Sequence, residues 1–196
     1  MRASPRAWLA SLETGAPDIV AVWRLIDVDN EAARDSLERR AGPGSAARVL
    51  AQQEVMADAL EAIIRDLPEP LLEAPGGEGD WNVSQAFAHT TGARRYLPAA
   101  AALAAAGRWP TDAAPRVVPG IPGAADLGRV DLLAFLAKSR RSQALSAATI
   151  AGHETDPCPM DHPIIGHRLS CGAWLLFAGV HDLMHLEQLH RLAGDG

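Results

Sequence analysis

The chain has 196 residues, with 24 Asp and Glu against 18 Lys and Arg, a formal net charge of −6 and 48% apolar residues. That apolar content excludes a disordered chain and supports one domain with a substantial core. The acidic balance, with no long basic run, argues against nucleic acid as a principal partner.

Two cysteines, Cys158 and Cys171, are too few for a disulfide framework or a Cys-only zinc site. Residues 1–9 carry charge and Pro5 instead of a signal-peptide apolar run. No stretch approaches the length of a membrane span. A cytoplasmic protein with no membrane partner is expected. Alanine and leucine abound, aromatics make up 5%, and alternating β-branched runs are scarce, so an all-α fold is expected.

Residues 4–42 read as short helical pieces. Ser4-Pro5 can open the first, Gly15-Ala16-Pro17-Asp18 interrupts, and Asp29 or Asn30 can cap another piece ending near Gly42-Pro43-Gly44. Trp8, Leu9, Leu12, Val22, Trp23 and Leu25 exceed what a free tail carries. Residues 1–44 therefore read as an extension that packs on the main body or on a second subunit, which would make a homodimer.

Residues 45–196 read as a four-helix bundle with long connections. The first long helix covers about 45–67, with Val49, Met56, Leu60, Ile63 and Leu67 on one face and the polar Gln53 on the same stripe. The second starts at Asn82, where Asn82-Val83-Ser84-Gln85 is a capping-box pattern, and reaches about Ala106, with Pro98 expected to kink or break it. A Pro/Gly-rich loop, 107–128, leads to a third helix at 129–149. Ser170 caps the last, which runs to about Ala193.

His181 and His185 stand one helical turn apart, so both rings project from one face. They lie on the stripe Trp174, Ala178, His181, His185, Gln188 and Leu192. His89 lies on the stripe Ala86, His89, Ala93 and Leu97. Three inward imidazoles would be costly to bury without a partner, and one divalent metal removes that cost. Three imidazoles suit zinc, nickel, iron or copper.

Two blocks carry a family resemblance. Asp80-Trp81-Asn82-Val83-Ser84-Gln85-Ala86-Phe87-Ala88-His89 resembles the second-helix signature of the DinB/YfiT-like superfamily. His162-Pro163-Ile164-Ile165-Gly166, then Trp174-Leu175-Leu176-Phe177, then His181-Asp182-Leu183-Met184-His185-Leu186-Glu187-Gln188, is similar to that family's loop, Trp and HxxxHxxQ helix. The resemblance covers about 45–193. It implies an up-down-down-up bundle holding one divalent metal through His89, His181 and His185. It also implies chemistry with a low-molecular-weight thiol such as mycothiol or bacillithiol, in a transferase or isomerase acting on a small electrophile. A hydrolase with water as nucleophile is the alternative enzyme, and a non-catalytic, metal-stapled binding module the alternative class.

Gln188 and Gln53 are candidates for catalytic or ligand contacts, against the plainer reading of a buried amide bonded to backbone or water. Lys138, Arg140 and Arg141 are candidates for holding an anionic thiol cofactor, against a solvated helix face. Asp182 and Glu187 fall off the histidine stripe and read as solvated, and His190 reads as exposed. His153, His162 and His167 are loop residues that can bond locally or approach the metal. Cys158 and Cys171 read as buried small residues.

Overall fold

The structure is a computed structural model that describes residues 7–26, 28–73, 81–110, 116–117, 123–162 and 165–193. Three short helices come first, α1 (Ala7–Gly15), α2 (Pro17–Trp23) and α3 (Asn30–Arg40). Four long ones follow: α4 (Ala46–Asp66), α5 (Val83–Ala105), α6 (Arg129–Ile150) and α7 (Cys171–Leu192). The expected Ser4-Pro5 helix start and residues 111–115 and 118–122 of the 107–128 loop lie outside the described residues, as do Asp80, Pro163 and Ile164.

The helix boundaries follow from local chemistry. Asp29 caps α3, accepting from the Ala32 amide at 2.9 Å. Asn82 and Gln85 form the reciprocal capping box of α5, with contacts of 2.8 and 3.1 Å. Ser170 accepts from the Ala173 amide at 3.2 Å to start α7. For α4 the Ser45 side chain makes no cap. The buried Glu154 carboxylate, from the connection after α6, accepts from the Ala46 amide at 3.4 Å and the Gly152 amide at 3.0 Å instead. Pro98 does not break α5, which runs through it. Its missing amide forfeits one bond, while burial of Leu97, Pro98 and Ala101 holds the helix together.

The long helices pack in a ring, with α5 between α6 and α7 and α4 closing the far side against the same two. Helix α7 is buried on nearly every side, because α2 and α3 cover its outer face. Gly179 permits this: a Cβ there would come within 2.4 Å of Ile19 Cδ1. Leu9, Leu12, Ile19, Val20 and Val22 are buried, so the N-terminal segment packs on the bundle and contributes to its core. The buried Asp18 fastens it further, accepting from Gln52 Nε2 at 2.6 Å and Arg40 Nη1 at 2.6 Å and pairing with Arg48.

The described residues are mostly helical, with a small addition to the all-α expectation. Strands β1 (Arg116–Val117), β2 (Met160–His162) and β3 (Gly166–His167) form a sheet in that order, β1 parallel and β3 antiparallel to β2. Strands of two or three residues leave no alternating pattern to read. No helix of the described residues is long and apolar enough to cross a membrane.

Candidate metal centre

Helix α5 supplies His89 and α7 supplies His181 and His185, and the packing of these helices brings the three rings together. Each offers one nitrogen, and the three nitrogens lie within 4.8 Å of one another. His89 Nε2 and His181 Nε2 are 3.2 Å apart. Two imidazole nitrogens on one tetrahedral ion sit about 3.4 Å from each other, so this pair already has nearly the spacing of shared ligands. The ring centroids lie 4.5 to 5.1 Å apart.

Gln188 orients the third ring. Its Oε1 accepts from His185 Nδ1 at 2.8 Å, which places the proton on Nδ1 and leaves Nε2 its lone pair. Gln188 Nε2 and His181 Nδ1 are buried without a hydrogen-bond partner among the described residues. His181 is buried, and His89 and His185 are half-buried. Trp81 lies against the cluster, its ring centroid 5.0 Å from His89 and 6.4 Å from His185. Behind His89 the chain passes so close that a Cβ on Gly123 would fall 2.7 Å from the His89 amide nitrogen.

The electrostatics favour neutral rings. Burial, with His89 nearby, lowers His185 to about 4 despite the Gln188 bond. Burial and then the two neighbouring histidines hold His181 well below the ordinary imidazole range. Neutral imidazoles are the metal-ligating form, and among the described residues no carboxylate joins the set. The donor set fits one divalent ion with borderline-soft preferences.

The other candidate residues are distributed elsewhere. Gln53 is fully buried and donates through Nε2 to the Leu175 carbonyl of α7. Arg140 belongs to the seam between α6 and α4, where it pairs with Glu54, with Asp58 at 2.7 Å and with Glu61 at 3.3 Å. Lys138 and Arg141 are exposed on the same helix. His153 is exposed and bonds Asp156 at 2.8 Å. His162 is buried against Phe177, centroids 4.9 Å apart, and burial lowers it to about 4. The backbone of His167 lies in β3, and its side chain falls outside the described residues.

Two expectations are overturned. Asp182 is not solvated: it is fully buried and paired with the equally buried Arg94. Arg94 Nε also donates to Ser139 Oγ at 3.1 Å, and Nη2 to Gln143 Oε1 and to the Gln53 carbonyl at 3.4 Å. One guanidinium thus touches all four long helices. Burial raises the Asp182 carboxyl above the ordinary range, against the pull of Arg94. The stripe argument failed because it assumed that α7 is solvated away from the histidines, whereas Asp182 faces Arg94 of α5 inside the bundle. His190 is half-buried because it stacks on Trp8 of α1, centroids 4.6 Å apart and planes 11° apart. Arg94 escaped the sequence reading because Arg94-Arg95 looks like an ordinary solvated pair.

Comparison with protein-family models, curated proteins and solved structures returns no match.

Proposed function

We propose that this protein is a divalent-metal enzyme of the DinB/YfiT-like kind. In this reading His89, His181 and His185 hold the ion, and a low-molecular-weight thiol of the mycothiol or bacillithiol class supplies the nucleophile for transfer to, or isomerisation of, a small electrophile. The observation that carries the reading is the convergence of three imidazole nitrogens within 4.8 Å, two of them on half-buried rings, with no carboxylate in the set among the described residues. A second observation supports it. Trp81, His89, His181, His185 and Gln188, which carry the sequence resemblance, lie in different parts of the chain and meet in one contact cluster.

The ion, when bound, supplies positive charge that lowers the pKa of a thiol. Gln188 holds His185 in the ligating tautomer. Trp81 offers an aromatic face beside the cluster against which the apolar part of a substrate can pack. Of the three rings, His89 and His185 are the half-buried ones, through which a ligand can approach.

The test has two stages. Elemental analysis of purified protein should find one divalent ion per chain, lost in His181→Ala. Loaded protein should then consume an electrophile only when a thiol is present, with activity abolished by chelation and restored by metal. Turnover without thiol would replace the transferase reading with a hydrolase. Failure of the wild-type chain to retain an ion would overturn the metal site itself.

A further inference from the structure

Two cysteines stand apart from the histidine cluster and take no part in the reading above. Cys158 lies between α6 and β2, and Cys171 is the first residue of α7. An antiparallel pairing of the chain segments before β2 and before α7 brings them together. The Cys158 amide donates to the Leu169 carbonyl at 3.0 Å, the Cys171 amide donates to the Asp156 carbonyl at 2.8 Å, and Pro157 faces Ser170 between them. In that register Cys158 opposes Leu169, and two residues further along, at Cys171, the chain returns to the same face. The two thiols meet there in a hydrogen bond, and both residues are fully buried.

The two sulfurs are not equivalent. Cys171 follows the Ser170 cap, in the first turn of a long helix whose N-terminal dipole favours a thiolate. The hydrogen bond from Cys158 also lowers the Cys171 thiol below its ordinary value, against burial and the nearby Asp156. The same contact, with burial, pushes Cys158 up. Cys171 therefore has the character of the attacking sulfur, and Cys158 that of a protonated partner held in contact with it.

We propose that Cys158 and Cys171 form an oxidisable dithiol whose oxidant is a small neutral peroxide. In the first step the Cys171 thiolate attacks one peroxide oxygen and the O–O bond breaks. The departing hydroxide takes up a proton to become water, leaving Cys171 as a sulfenic acid, oxidised by two electrons. In the second step the Cys158 sulfur attacks the Cys171 sulfur and the S–O bond breaks. The departing hydroxide takes the Cys158 proton, giving a second water and the disulfide. One peroxide and two thiols yield one disulfide and two waters.

Burial selects the oxidant. Hydrogen peroxide is small and uncharged and can enter through local opening of the short paired segments, whereas a tripeptide disulfide is too large and too charged to reach the sulfurs. The bond would tie the connection after α6 to the first turn of the helix that carries His181 and His185.

The experiment treats the full-length, metal-loaded chain with hydrogen peroxide, then unfolds it, alkylates it and measures its mass. The expected result is a monomer lighter by about 2 Da in which neither cysteine takes the alkylating label. Cys158→Ala should stop at a sulfenic acid that dimedone captures at Cys171, and Cys171→Ala should leave Cys158 reduced. In a parallel arm, oxidised glutathione should leave both wild-type thiols alkylatable. The proposal is overturned if the peroxide-treated wild type keeps two alkylatable thiols, if the chain links to a second chain, or if glutathione disulfide oxidises the pair as readily as peroxide. The wild-type arms decide it even if a variant fails to fold. Because the readout is thiol content, the outcome is independent of the metal-site reading.

Discussion

Two polar clusters bridge α5 and α7, one at His89 and the other five residues along at Arg94, a rise of about 7.5 Å on the same helix. At Arg94 the charge is balanced inside the chain: a guanidinium and a carboxylate, both without solvent exposure, face each other. Ser139, Gln143 and the Gln53 carbonyl take the remaining guanidinium directions. At His89 three bases of one kind converge with no acidic partner in the set, and burial discourages the protonation that would give them one another as donors. The first cluster has its counter-charge within the fold. The second is a set of imidazoles that could hold a metal ion. Burial and polarity are common to both, so neither by itself marks a functional site; the distinguishing feature is the donor set, an ion pair in one and ring nitrogens of one kind in the other.

The comparison breaks most readily at the ion pair. Asp182→Ala leaves a buried guanidinium uncompensated and should cost about 3–5 kcal/mol of stability. His185→Ala, at a half-buried ring, should cost the metal-free protein less than about 1 kcal/mol while removing bound metal. Denaturant unfolding of both variants without metal checks this. Equal losses would erase the distinction between the two clusters.

The pH response sharpens it. His185 titrates at about 4 in the folded protein against an ordinary value of 6.5, and His181 is displaced the same way. Below pH 6.5 the unfolded chain takes up protons that the folded chain refuses, so stability is complete above that pH and falls as the pH drops toward 4. His162, buried outside the cluster, adds a loss of the same sign. Between pH 6.5 and pH 5 the metal-free protein should lose on the order of 2 kcal/mol to the histidine cluster. Urea midpoints across that range should show the decline, and His185→Ala should make it shallower while His181 and His162 still contribute. A flat wild-type profile would mean that the rings are not buried as neutral bases.

The smallest effect concerns orientation. Gln188→Ala removes the acceptor on His185 Nδ1 and should weaken zinc binding roughly 10–100-fold, as losing the outer partner of a ligating histidine does. The metal-free melting temperature should stay nearly unchanged. Chelator competition measures the affinity. Unchanged zinc affinity would show that the ring is held by packing alone.

How far these features could be read in advance varied with how local their cause is. The capping signals at Asp29, Asn82 and Ser170 act within one turn, and each appears in the structure where the residue pattern places it. The cap on α4 was not legible, because its acceptor Glu154 is remote in sequence and no pattern near Ser45 points to it. Pro98 does not break α5, because tertiary burial outweighs one missing hydrogen bond. The small sheet escaped because its strands are too short to show a pattern and β1 pairs with β2 from a distant part of the chain.

Asp182 and His181 are neighbours in the chain and summarise the division. The spacing of His181 and His185 follows from the 3.6-residue period of the helix, so their shared face was determined by the sequence alone, as were the helix boundaries that place His89 in α5. Whether the other faces of α7 meet water depends on where α1, α2, α3 and α5 lie. That placement made Asp182 a buried ion-pair partner of Arg94 and put His190 against Trp8. Periodicity states which residues point the same way, because helix geometry is local. Only packing between distant segments decides which of those directions lead to solvent.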